Sequence, residues 1–373
     1  MSKFIPITYP ESITSFQSSD LDNFLEWCVK QEVSDITFQN EERILCEIHG
    51  KKHFVTSKRL TKSEVAHLIK SMHSAGADSV LNSGEELDTA FVSKIDKNRQ
   101  YRFRMNAKSI LTHNDKGFSI TLRYINNFAP KLETLNLRED VLDCFYRKNG
   151  IVIVSGPTGS GKSTLLASII QHRLAEEDAH IKISTFESPI EFTYDHIEKK
   201  TSSISQCEIG THMPSFVRGV RNSLRTRSDI VLIGESRDYA TSKAMINASM
   251  VGPLVYTTCH TNNVAEIPAR LINDFPENEK EAEFVNLIDN LELLLTQKLV
   301  PSVDGKRVAI REFLILTQEM KDLLIEGGLN RVTINLRKMV KQYGQTFLQD
   351  LTEKLISGKI TEEEFYITKK QLK

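Results

Sequence analysis

Two hydrophobic rhythms divide this chain. In the first third, short apolar stretches mix with alternating ones. Leu21 to Val29 has helical spacing, Ser34 to Gln39 and Ile44 to Ile48 read as strands with a turn at Gly50, and Ser63 to Met72 returns to helical spacing. Strict alternation follows in Tyr101-Arg102-Phe103-Arg104-Met105-Asn106 and in Phe118 to Tyr124, with the turn-like cluster Asn114-Asp115-Lys116-Gly117 before the second run. A β-hairpin is expected there. Period-two geometry places Arg102 and Arg104 on one face of its first strand, and a turn near residue 114 brings Arg123 close to Arg104.

Asn126 to Glu133 carries Asn, Pro and Lys with no periodicity. It places a linker at 127–133, between a domain of residues 1–126 and one of residues 134–373. In the second domain continuous apolar runs alternate with helical stretches. The runs are Ile151–Val154, Ile181–Phe186, Ile230–Ile233 and Leu254–Thr258; the helices are Ser163–Leu174, Ser215–Arg225 and Tyr239–Met250. That order predicts an α/β fold with a parallel sheet covered on both faces. From about Pro276 the chain reads as a charged, mostly helical tail.

Composition narrows the function classes. The 373 residues are 40% hydrophobic and 26% charged, enough for more than one folded core. Lys plus Arg is 48 and Asp plus Glu is 49, a net charge of −1, so no bulk basic field draws the chain to nucleic acid. Five scattered cysteines, Cys28, Cys46, Cys144, Cys207 and Cys259, never form a CxxC pair, which speaks against a disulfide scaffold or a cysteine zinc site and for a reducing cytoplasm. The first residues are polar and proline-containing where a secretory leader needs an apolar run, and no apolar stretch reaches 18 residues. Membrane association is therefore expected to go through a partner.

The sharpest motif is Gly156-Pro157-Thr158-Gly159-Ser160-Gly161-Lys162-Ser163-Thr164, flanked by an apolar strand and an amphipathic helix. It fits G-x-x-x-x-G-K-[ST]. Such a loop curls its N–H groups around phosphate oxygens, with the lysine on the β/γ-phosphates and the Ser163 hydroxyl on Mg²⁺. Ligands of parallel sheets gather at the carboxyl ends of the strands. Three other strand ends are polar: Glu187 to Glu191, Gly234 to Asp238, and Cys259-His260-Thr261. Glu235 stands where a Walker B acid acts on Mg²⁺, and Glu187 competes with it for orienting the attacking water. Either carboxylate could instead cap a helix or pair with arginine. His260 is a candidate to contact the γ-phosphate, with a satisfied buried histidine as the alternative. Arg218, Arg221 and Arg225 share a helix face that solvation also explains. The hairpin arginines Arg102, Arg104 and Arg123 either stabilise phosphate charge on a neighbouring copy or form a salt-bridged face within their own domain.

In order along the chain these pieces resemble the secretion ATPases of type II and type IV systems, most of all the PilT-like branch. Ser34-Asp35-Ile36 is similar to the N-terminal signature, with Thr37 in place of a frequent His. Arg102 to Asn106 is similar to the arginine strand, Phe186 to Glu191 to the Asp box with Ser188 in place of Asp, Gly234 to Asp238 to the atypical Walker B, and Gly252 to Thr261 to the His box with Pro253 at its first His. The tetracysteine motif of larger members is missing. The Ala-Ile-Arg-x-Gly signature of retraction ATPases is absent from the tail, and Ala309-Ile310-Arg311 is a look-alike elsewhere. The strings Glu187 to Phe192, Val255 to Thr258 and Val264 to Glu266 are most similar to type IVB secretion ATPases and their TraJ-type conjugation relatives.

The resemblance implies a PAS-like N-terminal domain, a RecA-like ATPase domain, and a homohexameric ring. ATP with Mg²⁺ would bind between the domains, and hydrolysis would move one against the other. It maps Glu187 onto the water-activating Glu, Glu235 onto the Walker B acid, and Arg104 and Arg123 onto arginines that reach nucleotide. The implied partners are membrane-anchored secretion components and a second ATPase, at the cytoplasmic side of the inner membrane. A pilus-retraction motor shares this chemistry. A RecA-like nucleic-acid motor is a further alternative that the near-neutral charge disfavours, with nucleic acid not expected as a direct ligand.

Overall fold

A computed structural model describes residues 8–10, 16, 18–48, 50–96, 99–112, 115–125 and 128–372. Much of the N-terminal segment read for a leader lies outside these residues, as do Asn114 of the expected turn and Asn126 and Asn127 at the expected linker. The chain divides into two compact units, Met1–Asn127 and Phe128–Lys373.

The first unit runs α1 (Ser18–Lys30), β1 (Val33–Gln39), β2 (Leu45–Ile48), β3 (Lys51–Phe54), α2 (Lys62–Met72), α3 (Ala77–Asn82), β4 (Leu87–Lys94), β5 (Gln100–Thr112) and β6 (Asp115–Ile125). Its strands form one antiparallel sheet in the order β3-β2-β1-β6-β5-β4. Alternation buries one face: Phe103, Met105 and Ala107 point into a core with Phe24, Phe38 and Leu68, while Arg104 between them stays exposed. Thr61 and Glu64 form a capping box at α2, which fixes where that helix starts.

The second unit opens with a 3₁₀ turn, Leu132–Leu135. It continues α4 (Glu139–Cys144), β7 (Gly150–Ser155), α5 (Lys162–Ala175), β8 (Lys182–Glu187), β9 (Ser203–Glu208), α6 (Phe216–Arg225), β10 (Ile230–Ile233), α7 (Tyr239–Val251) and β11 (Leu254–Cys259). After a second 3₁₀ turn, Val264–Glu266, come α8 (Ile267–Ile272), α9 (Glu277–Asn290), β12 (Leu291–Pro301), β13 (Arg307–Ile315), α10 (Gln318–Gly327), α11 (Leu329–Tyr343), α12 (Phe347–Ile356) and α13 (Glu362–Gln371). The sheet order is β13-β12-β7-β11-β10-β8-β9, parallel except for β13.

Both faces of this sheet are covered, as continuous apolar strands require. Ile151, Ile153, Val231, Ile233 and Val255 join one core with α7, α9 and α11. Their sequence neighbours Val152, Val154, Ile230, Leu232 and Leu254 join the other core with α5. The fold is the mixed α/β, parallel-rich architecture expected.

The tail from Pro276 is mostly helical, as expected, but it also holds two long strands that periodicity did not separate, β12 and β13, before the terminal helices begin at Gln318. Leu291 to Leu295 is an apolar run that periodicity alone does not separate from buried helix. Strand β12 lies beside β7 and reaches the phosphate-loop motif.

Candidate nucleotide site

Strand β7 ends at Ser155, the motif loop follows, and α5 starts at Lys162. Gly156, Gly159 and Gly161 all have positive φ, at 141°, 76° and 82°. At Gly156 a Cβ would also stand 2.2 Å from the carbonyl oxygen of Gln297, so only glycine fits this bend. Lys162 is buried and donates through Nζ to the carbonyls of Gly156 at 2.9 Å and Pro157 at 3.1 Å. Burial lowers its pKa, and the nearby charges of Glu235 and Glu191 oppose that shift.

Buried hydroxyls stitch the strand ends together. Ser155 Oγ donates to the Cys259 carbonyl at 3.1 Å and accepts from the Thr261 N–H at 2.9 Å. Thr258 Oγ1 donates to the Gly234 carbonyl at 2.6 Å, and the Ser236 N–H donates to the Thr258 carbonyl. These bonds fix Glu235, after β10, beside His260, after β11. His260 Nε2 lies 3.0 Å from Glu235 Oε1, and Arg237 Nη2 lies 2.5 Å from Glu235 Oε2. His260 is exposed, which removes the buried-histidine alternative. Arg237 had no role in the sequence analysis, and its guanidinium pairs with the Glu235 carboxylate beside His260. Asp238 caps α7 by accepting from the Thr241 N–H at 2.8 Å.

Glu187 ends β8. Thr185 Oγ1 donates to its Oε1 at 2.6 Å, and Gln206 Nε2 approaches the same oxygen at 3.4 Å. The Gly234 N–H donates to the Phe186 carbonyl, so the Glu187 and Glu235 strand ends run side by side. The charge of Glu187 and burial together raise the Tyr194 phenol well above its ordinary pKa, burial being the larger cause.

The hairpin arginines lie in the first unit. Arg104 and Arg123 are cross-strand partners, as the turn geometry predicted. Arg104 donates to both oxygens of Asp88, at 3.1 and 2.7 Å, and Arg123 Nε donates to Asp35 at 2.8 Å. Asp35 belongs to the Ser34-Asp35-Ile36 string, which gives that string a physical purpose. Arg102 is half-buried, and Arg218, Arg221 and Arg225 lie exposed on α6.

The loop fits a polyphosphate: three positive-φ glycines, a buried lysine, a helix N-terminus, and a buried Ser160 hydroxyl with no hydrogen-bond partner. Among the described residues no cluster of three His, Cys, Asp or Glu could hold a metal alone. A divalent ion carried by phosphate needs fewer protein ligands than such a cluster supplies. Among the described residues no helix is long and apolar enough to cross a membrane.

The type II/IV secretion system protein family model matches residues 14–367. A twitching motility protein of Neisseria gonorrhoeae is 30% identical over 320 residues, 86% of this chain and 82% of its own. The X-ray structure of the Legionella pneumophila ATPase DotB superposes with a TM-score of 0.84 at 39% identity, covering 97% of this chain and 98% of that one. The crystal structure of the pilus retraction motor PilT with bound ADP gives 0.79 at 28% identity, over 94% and 96%. With its phosphate loop and strand-end carboxylates in place, the chain belongs to the type II/IV secretion system protein family and is an ATP hydrolase.

Proposed function

We propose that the chain is the ATP-driven motor of a type IVB secretion or conjugation machine, acting as a homohexamer on the cytoplasmic face of the inner membrane. The observation that carries this reading is the 39% identity to the Legionella ATPase DotB across nearly the full length of both chains. The type IVB-like strings Glu187 to Phe192, Val255 to Thr258 and Val264 to Glu266 agree with it.

In this reading the loop Gly156 to Thr164, through its backbone N–H groups other than at Pro157, and the ammonium of Lys162 bind the phosphates. Ser163 and Glu235 would hold Mg²⁺, which would supply neutralisation of phosphate charge when bound. Glu187, aligned by Thr185, accepts the proton of the attacking water. His260 contacts the γ-phosphate and, through Glu235, links its presence to the metal side of the site. Arg104 and Arg123 serve the nucleotide of a neighbouring copy, exchanging Asp88 and Asp35 for phosphate oxygens. The ring passes its motion to membrane-anchored components and works alongside a second ATPase.

The test is particle mass with a non-hydrolysable ATP analogue and Mg²⁺. Six copies of 42.4 kDa give about 254 kDa. A persistent monomer under those conditions contradicts the ring.

A pilus-retraction motor is the second reading, favoured by the likeness to the Neisseria twitching motility protein and to PilT. Deletion in the host separates the two. Lost twitching with intact secretion or transfer supports retraction, and the opposite phenotype supports the first reading.

A further inference from the structure

Beneath the phosphate loop, Gln297 on β12 faces Arg311 on β13 as a cross-strand pair. Both are buried, at 3% and 6% exposure. Gln297 meets the loop twice. Its backbone carbonyl fills the space that a Cβ on Gly156 would take, and its side-chain Nε2 donates to the Ser160 carbonyl at 2.7 Å. The same Nε2 would stand 2.9 Å from a Cβ on Gly161.

The amide of Gln297 has two orientations, and only one donates to the loop. Arg311 selects it. Its Nε donates to Gln297 Oε1 at 2.8 Å, which leaves Nε2 aimed at Ser160. Its Nη1 donates to the Leu135 carbonyl at 2.9 Å, so the guanidinium is held from two sides. The backbone is held as well. The Arg311 N–H donates to Asp350 Oδ2 at 2.7 Å, and Gln345 Nε2 donates to the Arg311 carbonyl at 3.1 Å. Asp350 pairs with Lys354 on α12, so the terminal helices pin the otherwise open edge strand at this residue. Burial pulls the Arg311 pKa down to about 10, opposed by Asp350, which leaves the guanidinium a donor at neutral pH.

We propose that Arg311 and Gln297 are positioning residues for the phosphate loop: Arg311 orients the Gln297 amide, and the amide holds the Ser160 carbonyl so that the loop keeps the curvature that binds phosphate. This deepens the assignment of the loop as the nucleotide site and rests on it. Neither side chain needs to touch nucleotide. The loss expected on removing either is therefore a loss of phosphate binding, carried by KM more than by kcat.

The test uses the full chain as wild type, Arg311→Met, Gln297→Met, the double variant, Arg311→Lys and Lys162→Ala. Binding is read with a fluorescent ATP analogue and by competition with inorganic triphosphate. Each single Met variant is expected to weaken both probes about tenfold, with kcat at saturating ATP within about threefold of wild type. The double variant should lose no more than the worse single one, because both act through one hydrogen bond. Arg311→Lys keeps one donor for Gln297 and should recover part of the affinity. If Arg311→Met does not fold, Gln297→Met and Arg311→Lys carry the same comparison.

Unchanged affinity with a lowered melting temperature overturns the proposal, since that is mere structural support. Weakened ATP analogue with unchanged triphosphate overturns it too, because the pair would then serve the base. Losses that multiply in the double variant also contradict it. Wild-type binding by Lys162→Ala removes the loop assignment itself, a failure distinct from the others.

Discussion

His260 Nε2 sits 3.0 Å from Glu235 Oε1, joining the ends of two adjacent parallel strands. The contact spans two separate sequence motifs and makes them one electrostatic unit. Replacing His260 by Ala is expected to lower kcat about 10- to 100-fold, the size of a lost polar contact to a transferring group. Nucleotide affinity should change far less, since Lys162 and the loop remain. Steady-state phosphate release and equilibrium binding on the same preparation separate these effects. A variant that loses binding and keeps kcat would place His260 in ground-state recognition instead.

Gly156 is the least replaceable residue of the loop. Its φ of 141° and the 2.2 Å approach of a built Cβ to the Gln297 carbonyl both exclude alanine. Gly156→Ala should cost about 1–3 kcal/mol of local strain and abolish detectable nucleotide binding while the sheet stays folded. Circular dichroism with analogue binding checks both halves.

Arg104 and Asp88 allow a two-variant test of the in-trans role. If Arg104 only pairs with Asp88, removing either partner has the same small effect, because both are exposed. If Arg104 serves a neighbour's nucleotide, Arg104→Ala lowers turnover by about 10³-fold or more in an intact ring, and Asp88→Ala leaves activity or raises it. Mass and turnover measured together decide it.

Glu64 gives the first unit an acid-sensitive point. Burial pushes its pKa up, but hydrogen bonds from Lys58, Thr61 and the Phe16 N–H outweigh it and bring the carboxyl to about 2, against an ordinary 4.5. A depressed carboxylate adds stability above its unfolded pKa, and this is lost as pH falls from about 4.5 towards 2. Glu64→Gln is expected to destabilise the unit by ~2 kcal/mol at neutral pH and to flatten its response over that acid window. Thermal melts between pH 2 and 7 show whether the two curves converge at the acid end.

Much of this was legible in the sequence, for a physical reason. Buried parallel strands are continuous apolar runs, and β7, β8, β10 and β11 were found within a residue or two. The hairpin register followed from alternation, and Arg104 opposite Arg123 came with it. What escaped depends on neighbours. The edge strand β9, Ser-Ile-Ser-Gln-Cys-Glu, alternates weakly and is half exposed. Strands β12 and β13 read as part of a helical tail. With them went the Gln297 and Arg311 pair, whose only sequence trace was a look-alike motif. Their meeting needs the hairpin register, which no local pattern states.

The central claim is that this site hydrolyses ATP with Glu187 as the group that activates water. The most direct measurement is phosphate release by wild type and Glu187→Gln, with analogue affinity determined on the same samples. The account predicts unchanged affinity, within about threefold, and turnover reduced by about 100-fold or more. Wild-type turnover by Glu187→Gln would contradict it.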